Sequence, residues 1–442
     1  MNYILKDLNP TQRKAAQTLE GPVLVIAGAG SGKTRTLTYR TANLIQNGVA
    51  PENILTVTFT NRAADDMRTK IKNLIGEDSA EKMILGTFHS FCLKILRENL
   101  AKIKRAEGCL IYDNNDSRAV IEDIVFEFGL NEDEFDPKMI FNIISKAKMN
   151  LINSSSLKDV YAEDNKGSQY FYNTAARIYS EYERVLKNNN SFDFNDLIKK
   201  TIELFEEDEK ILKHYQNQFK YIQVDEYQDV NHAQYRLISM LAEPEKNIFV
   251  VGDDWQGIYG FRGADISNIL EFEDDYPEAE LIKLERNYRS SRNIISASNQ
   301  LINNNTQNKE KKAWTEADNG APIFLARAEN SLLEAKYVCK RINNLVEYYN
   351  YSYSDIAVLC RSHFQSIQLQ NQLPKYRIPH KLIGGVSFFD RQEIRYFVNY
   401  LKLLVNPNDS LALKRLFRIE VDGVGEILLS EINKYARENN MD

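Results

Sequence analysis

The chain has 442 residues and a net charge of -6, from 56 Lys and Arg against 62 Asp and Glu; 43% of its residues are hydrophobic and 27% charged. That length points to about three domains rather than one small module, and the composition is that of a soluble globular protein, which excludes a disordered chain. The negative balance excludes a uniformly basic nucleic-acid coat protein but permits a local basic groove, because binding follows charge placement rather than the sum.

In chain order, residues 23–26, 54–58, 83–87, 221–225 and 249–251 are short β-branched runs ending in polar or glycine-containing residues, the pattern of buried parallel strands. Helix-length amphipathic segments at 33–46 and 63–75 separate the first three, which predicts βαβ units. The strand pattern then stops, and residues 105–190 read as a charged helical insertion between two strands of one sheet. Further strand candidates at 322–326, 355–359 and 380–383 predict a second α/β domain beginning near residue 281. No internal repeat is visible.

Immediately after the first strand stands Ala27-Gly28-Ala29-Gly30-Ser31-Gly32-Lys33-Thr34, a P-loop pattern in which Ala27 replaces the first glycine. Small residues let backbone N–H groups converge on phosphate oxygens at the N-terminus of the following helix. Lys33 is placed to reach the β- and γ-phosphates and Thr34 to ligate Mg²⁺. The plain alternative, a glycine-rich turn without a ligand, is disfavoured because strand and helix flank it as the chemistry requires. The fourth strand ends in Asp225-Glu226, where one carboxylate can hold Mg²⁺ (Asp225) and its neighbour can polarise the attacking water (Glu226). Such a pair alone is a weak signal; combined with the P-loop it gains force. These motifs all fall at the carboxyl ends of predicted strands, where open α/β sheets bind ligands.

The longest apolar stretch, 22–29, is too short for a membrane span, which needs about 20 residues. The first ten residues lack a basic segment followed by an apolar one. A cytoplasmic protein without membrane association is expected. Cys92, Cys109, Cys339 and Cys360 form no CxxC pair and the histidines no HExxH spacing, so no protein-held transition metal is expected and the cysteines are read as reduced, buried small residues.

The order LNPTQ (8–12), AGAGSGKT (27–34), TFTNRAADDM (58–67), GTFHSF (86–91), DFNDL (193–197), VDEYQD (224–229), VGDDWQGIYGFRGAD (251–265) and LERNYRS (284–290) resembles the UvrD/Rep family of superfamily 1 DNA helicases. The resemblance runs from residue 8 to about 440, and GGVSFFDRQEI (384–394) looks like the family's passage into a second accessory domain. It implies an α/β fold of RecA-like P-loop parallel sheets, one complete and one incomplete, with helical insertions, ATP and Mg²⁺ as cofactors, and single-stranded DNA and single-strand/duplex junctions as partners. The implied division is a first motor domain at 1–105 and 191–280, a helical accessory insertion at 106–190, the first part of a second motor domain at 281–383, and the start of a second accessory domain at 384–442.

Carried over residue by residue, the resemblance has Gln12 reading the adenine edge and Arg40 with Tyr288 sandwiching the ring. Arg35 joins the nucleotide-binding loop, Gln256 senses the γ-phosphate and couples it to DNA, and Arg289 acts as an arginine finger. Taken singly, Gln12 is equally a helix-start residue, Arg40 a solvated charge and Tyr288 a half-buried aromatic. Phe59, Tyr259 and Phe261 match base-contacting positions, and Thr60, Asn61, Thr87, His89 and Arg262 match polar DNA-contacting ones. Phe88 and Phe194 are divided between stacking and core packing, and His89 could equally be a buried histidine. Gly260 and Phe261 stand where the family usually has arginine and tryptophan. Two later motifs of the family, TVHxAKGLE and YVAxTRA, do not occur as strings, so the C-terminal helicase motifs are expected to be absent. The resulting expectation is a 3′-to-5′ DNA helicase serving repair or replication alongside proteins of those processes. The competing reading is a nucleotide-gated single-strand-binding module with little turnover, and a P-loop enzyme acting on a small molecule is a distant third.

Overall fold

Strands β1 (Val23–Ala27), β2 (Ile54–Thr58) and β7 (Ile248–Gly252) are buried at every residue, because helices cover both faces of the sheet they share. The computed structural model describes residues 3–162, 169–305, 309–383 and 392–420, together with 428, 431, 432 and 435. With β3 (Ile84–Thr87), β6 (Tyr221–Val224) and β8 (Glu280–Leu284), these strands form a six-stranded parallel sheet in the order β3-β2-β6-β7-β1-β8. Alternation along each strand splits the core in two. Leu24, Ile26, Leu55, Val57 and Val250 pack on one face, and Val23, Val25, Ile54, Phe249 and Val251 on the other.

All five strands predicted before residue 281 are present, and the helix predicted at 33–46 runs over Lys33–Gln46. Strand β8 starts where the sequence suggested a new domain, yet Val23 to Ala27 pair with Glu280 to Leu284 and make it an edge strand of this sheet. One compact unit comprises residues 1–321 and 400–442, and a second comprises 322–399. The second unit holds a small core of Cys339, Ile342, Leu373 and Ile378.

The strands predicted at 322–326, 355–359 and 380–383 are not formed among the described residues. A β-branched run becomes a strand only when a neighbour satisfies its N–H and C=O groups. Among the described residues these segments have no ladder partner, and Leu325 (100%), Leu359 (94%) and Ile383 (80%) are exposed. The passage at 384–394 lies largely outside the described residues. Of the cysteines, all free, Cys92 and Cys339 are buried, whereas Cys109 is intermediate and Cys360 exposed, so burial holds for only two. Among the described residues no helix is long and apolar enough to cross a membrane.

The helical stretch predicted between β3 and β6 contains helices Asn114–Glu127, Pro137–Met149, Ser154–Ala162 and Gln169–Asn188 around Ile121, Ile140, Ile178 and Tyr182. Its root is a parallel pair, β4 (Leu110–Tyr112) with β5 (Ser191–Asp193). Beside that root Lys148 is fully buried, its Nζ 2.5 Å from Glu183, 2.8 Å from Asp193 and 2.7 Å from Asp196. Burial opposes its charge, but the three carboxylates hold its pKa above that of an ordinary lysine. Asp193 also caps helix Phe194–Glu207 and accepts from the Tyr182 hydroxyl.

Removing one partner from a buried ion cluster leaves uncompensated charge, at a cost of about 3–5 kcal/mol. Lys148→Met is therefore expected to lower the unfolding free energy by that amount in urea titrations. A loss below about 1 kcal/mol would show that the cluster does not hold the insertion in place.

Candidate nucleotide and DNA site

Helix Lys33–Gln46 begins without a side-chain cap, leaving its first N–H groups available to an anion. Its N-cap Gly32 has φ +90° and Gly30 has φ +67°, left-handed values that favour glycine. Space demands glycine as well. A Cβ on Gly30 would lie 2.7 Å from Arg289 Cβ and from Asn287 Nδ2, and one on Gly32 would lie 2.6 Å from Gln12 Nε2. The Ser31 hydroxyl is turned back, donating to the Gly28 carbonyl at 2.7 Å.

Two amides grip this loop. Gln12, buried in the capping box of helix Pro10–Gln17, donates to the Ser31 carbonyl at 2.8 Å and accepts from the Asn9 N–H at 3.2 Å. From the other side Asn287 donates to the Ala29 carbonyl at 2.5 Å, while its oxygen accepts from the N–H groups of Arg289 (2.8 Å) and Ser290 (2.7 Å). The Tyr288 N–H donates to the Gly30 carbonyl at 2.9 Å, and its hydroxyl accepts from Asn9 at 2.7 Å. Arg289 is thus delivered to the rim of the loop as an exposed residue. The sequence reading missed Asn287, whose signal was an Asn opening a turn two residues before the predicted finger.

Arg40 is not part of this group. It is fully buried beneath the sheet, its guanidinium 4.5 Å from the centre of the Phe249 ring and donating to the Leu19 carbonyl at 3.0 Å. Burial depresses its pKa to about 9. The reason is register: position 40 falls on the core face of a helix whose exposed face carries Arg35. Arg35 donates to the Asp7 carbonyl at 3.0 Å, two residues from the Asn9 that holds Tyr288.

The acidic residues converge on Lys33. Its Nζ is 3.3 Å from Glu226 and 3.9 Å from Asp253, and the Thr34 hydroxyl is 3.3 Å from Asp225. Burial, reinforced by the neighbouring Glu226, pushes the Asp225 carboxyl up to about 6, and the same two causes push Asp229 up to about 6. Glu226 has φ +52°, an uncommon left-handed conformation for a non-glycine residue. Gln228, also missed from the sequence, donates to Glu226 at 2.9 Å and accepts from the Asp253 N–H at 2.8 Å. Gln256 donates to Asp253. A hydroxyl beside a desolvated carboxylate, at the mouth of an uncapped glycine loop, fits Mg²⁺ and a nucleotide triphosphate.

Across the same edge of the sheet, Phe59 stacks on Tyr259 with centroids 5.4 Å apart and planes at 27°, and Tyr259 meets Phe261 at 5.9 Å. The Arg262 guanidinium lies 5.0 Å from the Tyr259 ring centre and 5.5 Å from that of Phe261, itself 73% exposed. His89 and the half-exposed Phe194 form an edge-to-face pair at 6.0 Å, and burial lowers the His89 pKa, favouring the neutral ring. Phe88 is a core residue. The Thr60 and Thr87 hydroxyls accept from Ala63 and Ser90 N–H groups, so both serve as helix caps, and Asn61 is exposed in the first turn after Thr60.

The family model for the UvrD/REP helicase N-terminal domain matches residues 8–277, and that for the UvrD-like helicase C-terminal domain matches 282–441. The chain belongs to the UvrD/Rep helicase family. It is 41% identical over all of its 442 residues to proteins named ATP-dependent DNA helicase PcrA from Staphylococcus aureus and Staphylococcus epidermidis, and it spans 60% of their length. The C-terminal match corrects the expectation that the C-terminal helicase motifs are absent. The low-turnover binding module rested on that absence and loses its ground.

The raised pKa of Asp225 has a definite sign. Its ionisation costs stability that is intact below about 4, the unfolded value, and lost as pH rises through about 6. Without nucleotide or Mg²⁺, Asp225→Asn should raise the unfolding free energy at pH 8 by about 1–3 kcal/mol, with the gain shrinking towards pH 4. A gain independent of pH would contradict the desolvated carboxylate.

Proposed function

We propose that this chain is an ATP- and Mg²⁺-dependent motor that translocates on single-stranded DNA and unwinds duplex in the 3′-to-5′ direction. The observation that carries the reading is the convergence of Lys33, Thr34, Asp225, Glu226 and Asp253 on one glycine loop, with an aromatic path along the same sheet edge. The family's relatives named DNA helicases support the substrate and the reaction. Direction, junction preference, a cytoplasmic setting and work beside repair or replication proteins rest on the family resemblance.

Each residue's part follows from its position. Lys33, paired here with Glu226 and Asp253, exchanges these carboxylates for the β- and γ-phosphates when nucleotide binds. Mg²⁺, when bound through Thr34 and Asp225, neutralises phosphate charge. Glu226, freed from Lys33 and still held by Gln228, orients the attacking water and draws its proton. Arg289, fixed at the loop rim by Asn287, supplies positive charge to the transferring phosphoryl group. Tyr288 offers a ring face for the adenine and Arg35 takes the partner position, while Gln12 at the edge of that space reads the base.

Lys33→Ala should lower single-strand-stimulated ATPase by about 10²–10³-fold with little loss of DNA binding. Glu226→Gln should cut turnover by about 10²–10⁴-fold yet keep ATP affinity. Surviving turnover in the first variant, or lost nucleotide binding in the second, would reject these roles. Strand displacement supported only by a 5′ tail would overturn the direction.

Phe59→Ala and Phe261→Ala should each weaken single-strand binding by about 1–3 kcal/mol, with little preference among homopolymers. Affinity should fall steeply with salt as counterions are released. Fluorescence anisotropy across a salt series measures all three, and unchanged affinity in both variants would place the DNA path elsewhere.

A further inference from the structure

Lys311 lies outside every motif read from the sequence, yet its side chain is 2% exposed and reaches Asp253 and Asp254 beside the nucleotide site. Its Nζ is 2.5 Å from Asp253 Oδ1, also bonds Asp254 Oδ1, and sits 4.6 Å from the centre of the Trp255 ring. Both carboxylates are buried, at 1% and 0%. Buried carboxylates need a cation. Lys33 lies 3.9 Å from Asp253 and closer, at 3.3 Å, to Glu226, whereas Lys311 contacts both Asp253 and Asp254 directly.

We propose that Lys311 is a positioning residue of the nucleotide site, acting through Asp253 on Gln256 and Glu226; the proposal rests on the ATPase reading above. The two oxygens of Asp253 divide the work. Oδ1 takes Lys311 and the Trp255 N–H, at 3.2 Å, which fixes the carboxylate plane. Oδ2 is then left facing Gln256 and Lys33. The Asp253 N–H orients Gln228, and Gln228 orients Glu226. One cation therefore stands behind both the γ-phosphate sensor and the general base.

The segment carrying Lys311 reaches the opposite side of the site as well. Three residues on, the Trp314 carbonyl accepts from the Asn287 N–H at 2.7 Å and the Trp314 N–H donates to the Glu285 carbonyl at 3.0 Å. Asn287 is the residue that docks the Arg289 loop onto the glycine loop. Residues 309–314 thus strap the Asp253 side of the site to the arginine side, and Lys311 is the charged end of the strap.

The test is single-strand-stimulated ATPase of the full 442-residue chain, with labelled-nucleotide binding and urea unfolding measured on the same preparations. Lys311→Met should lower kcat by about 10- to 100-fold, the usual cost of losing an outer partner of a site residue, with the KM for ATP within about threefold. Lys311→Arg should restore most of kcat, because it restores the charge. Lys213→Ala, whose exposed side chain pairs with Glu209 at 2.7 Å outside the site, should change kcat by less than about twofold. If Lys311→Met does not fold, Lys311→Met with Asp254→Asn removes one buried carboxylate and should show the same loss of kcat. Wild-type protein without turnover would overturn the function reading and this proposal with it. Wild-type turnover with unchanged kcat in Lys311→Met, or a loss confined to stability in both Met variants, would overturn this proposal alone.

Discussion

Everything at the carboxyl edge of the sheet depends on how closely other backbone and side chains approach the loop between β1 and its helix. Gly30 and Gly32 leave room for Asn287 and Arg289 on one side and Gln12 on the other, each at a distance that a single Cβ would obstruct. The Ala29 and Ser31 carbonyls are consequently satisfied by two side-chain amides, while the first N–H groups of the following helix carry no side-chain cap and stay available to an anion. A loop gripped in this way is preorganised, so less ordering remains for the nucleotide to impose.

Buried lysines then set the electrostatics. Lys33 faces Glu226 and Asp253, Lys311 faces Asp253 and Asp254, and Lys148 faces Glu183, Asp193 and Asp196. In each group carboxylates equal or outnumber the cations, so desolvation is offset only with hydrogen bonds from neighbours such as Gln228, Gln256 and Tyr182. Burial, with the neighbouring Glu226 charge, raises the Asp225 pKa, and Lys33 offsets this only in part. That incompletely compensated carboxylate beside Thr34 is where a divalent cation gains most.

The central sheet and the ordered motifs were legible because buried parallel strands write continuous apolar runs and the chemistry sits at their ends. Strand β8 spans the boundary read near residue 281 and was not read as a strand, because its pairing with β1 is not written in its own sequence. The segments at 322–326 and 355–359 show the converse, strand-like sequence without a ladder. At the site, Lys33, Asp225, Glu226 and Arg289 could be read from spacing, whereas Arg40 could not be separated from Arg35 without helical register. Asn287, Gln228 and Lys311 act through contacts between residues distant in sequence, which no local pattern encodes.

The loop after β7 joins the two kinds of chemistry. Asp253 and Gln256 stand at its start against Lys33, and Tyr259, Phe261 and Arg262 follow within a few residues as the aromatic face. Short 3-10 turns at Asp254–Gln256 and Gly260–Arg262 stiffen it. At its far end Gly263 packs on Met149, next to the Lys148 that fastens the helical insertion to β5 and the following helix. A shift of Gln256 towards or away from phosphate therefore has little slack to absorb it before the rings move. The ring that moves most directly, Tyr259, is stacked on Phe59 from the neighbouring β2 loop. On the motor reading proposed above, and because packed interfaces favour discrete arrangements over continuous deformation, this loop is the element through which the nucleotide site would act on the aromatic face.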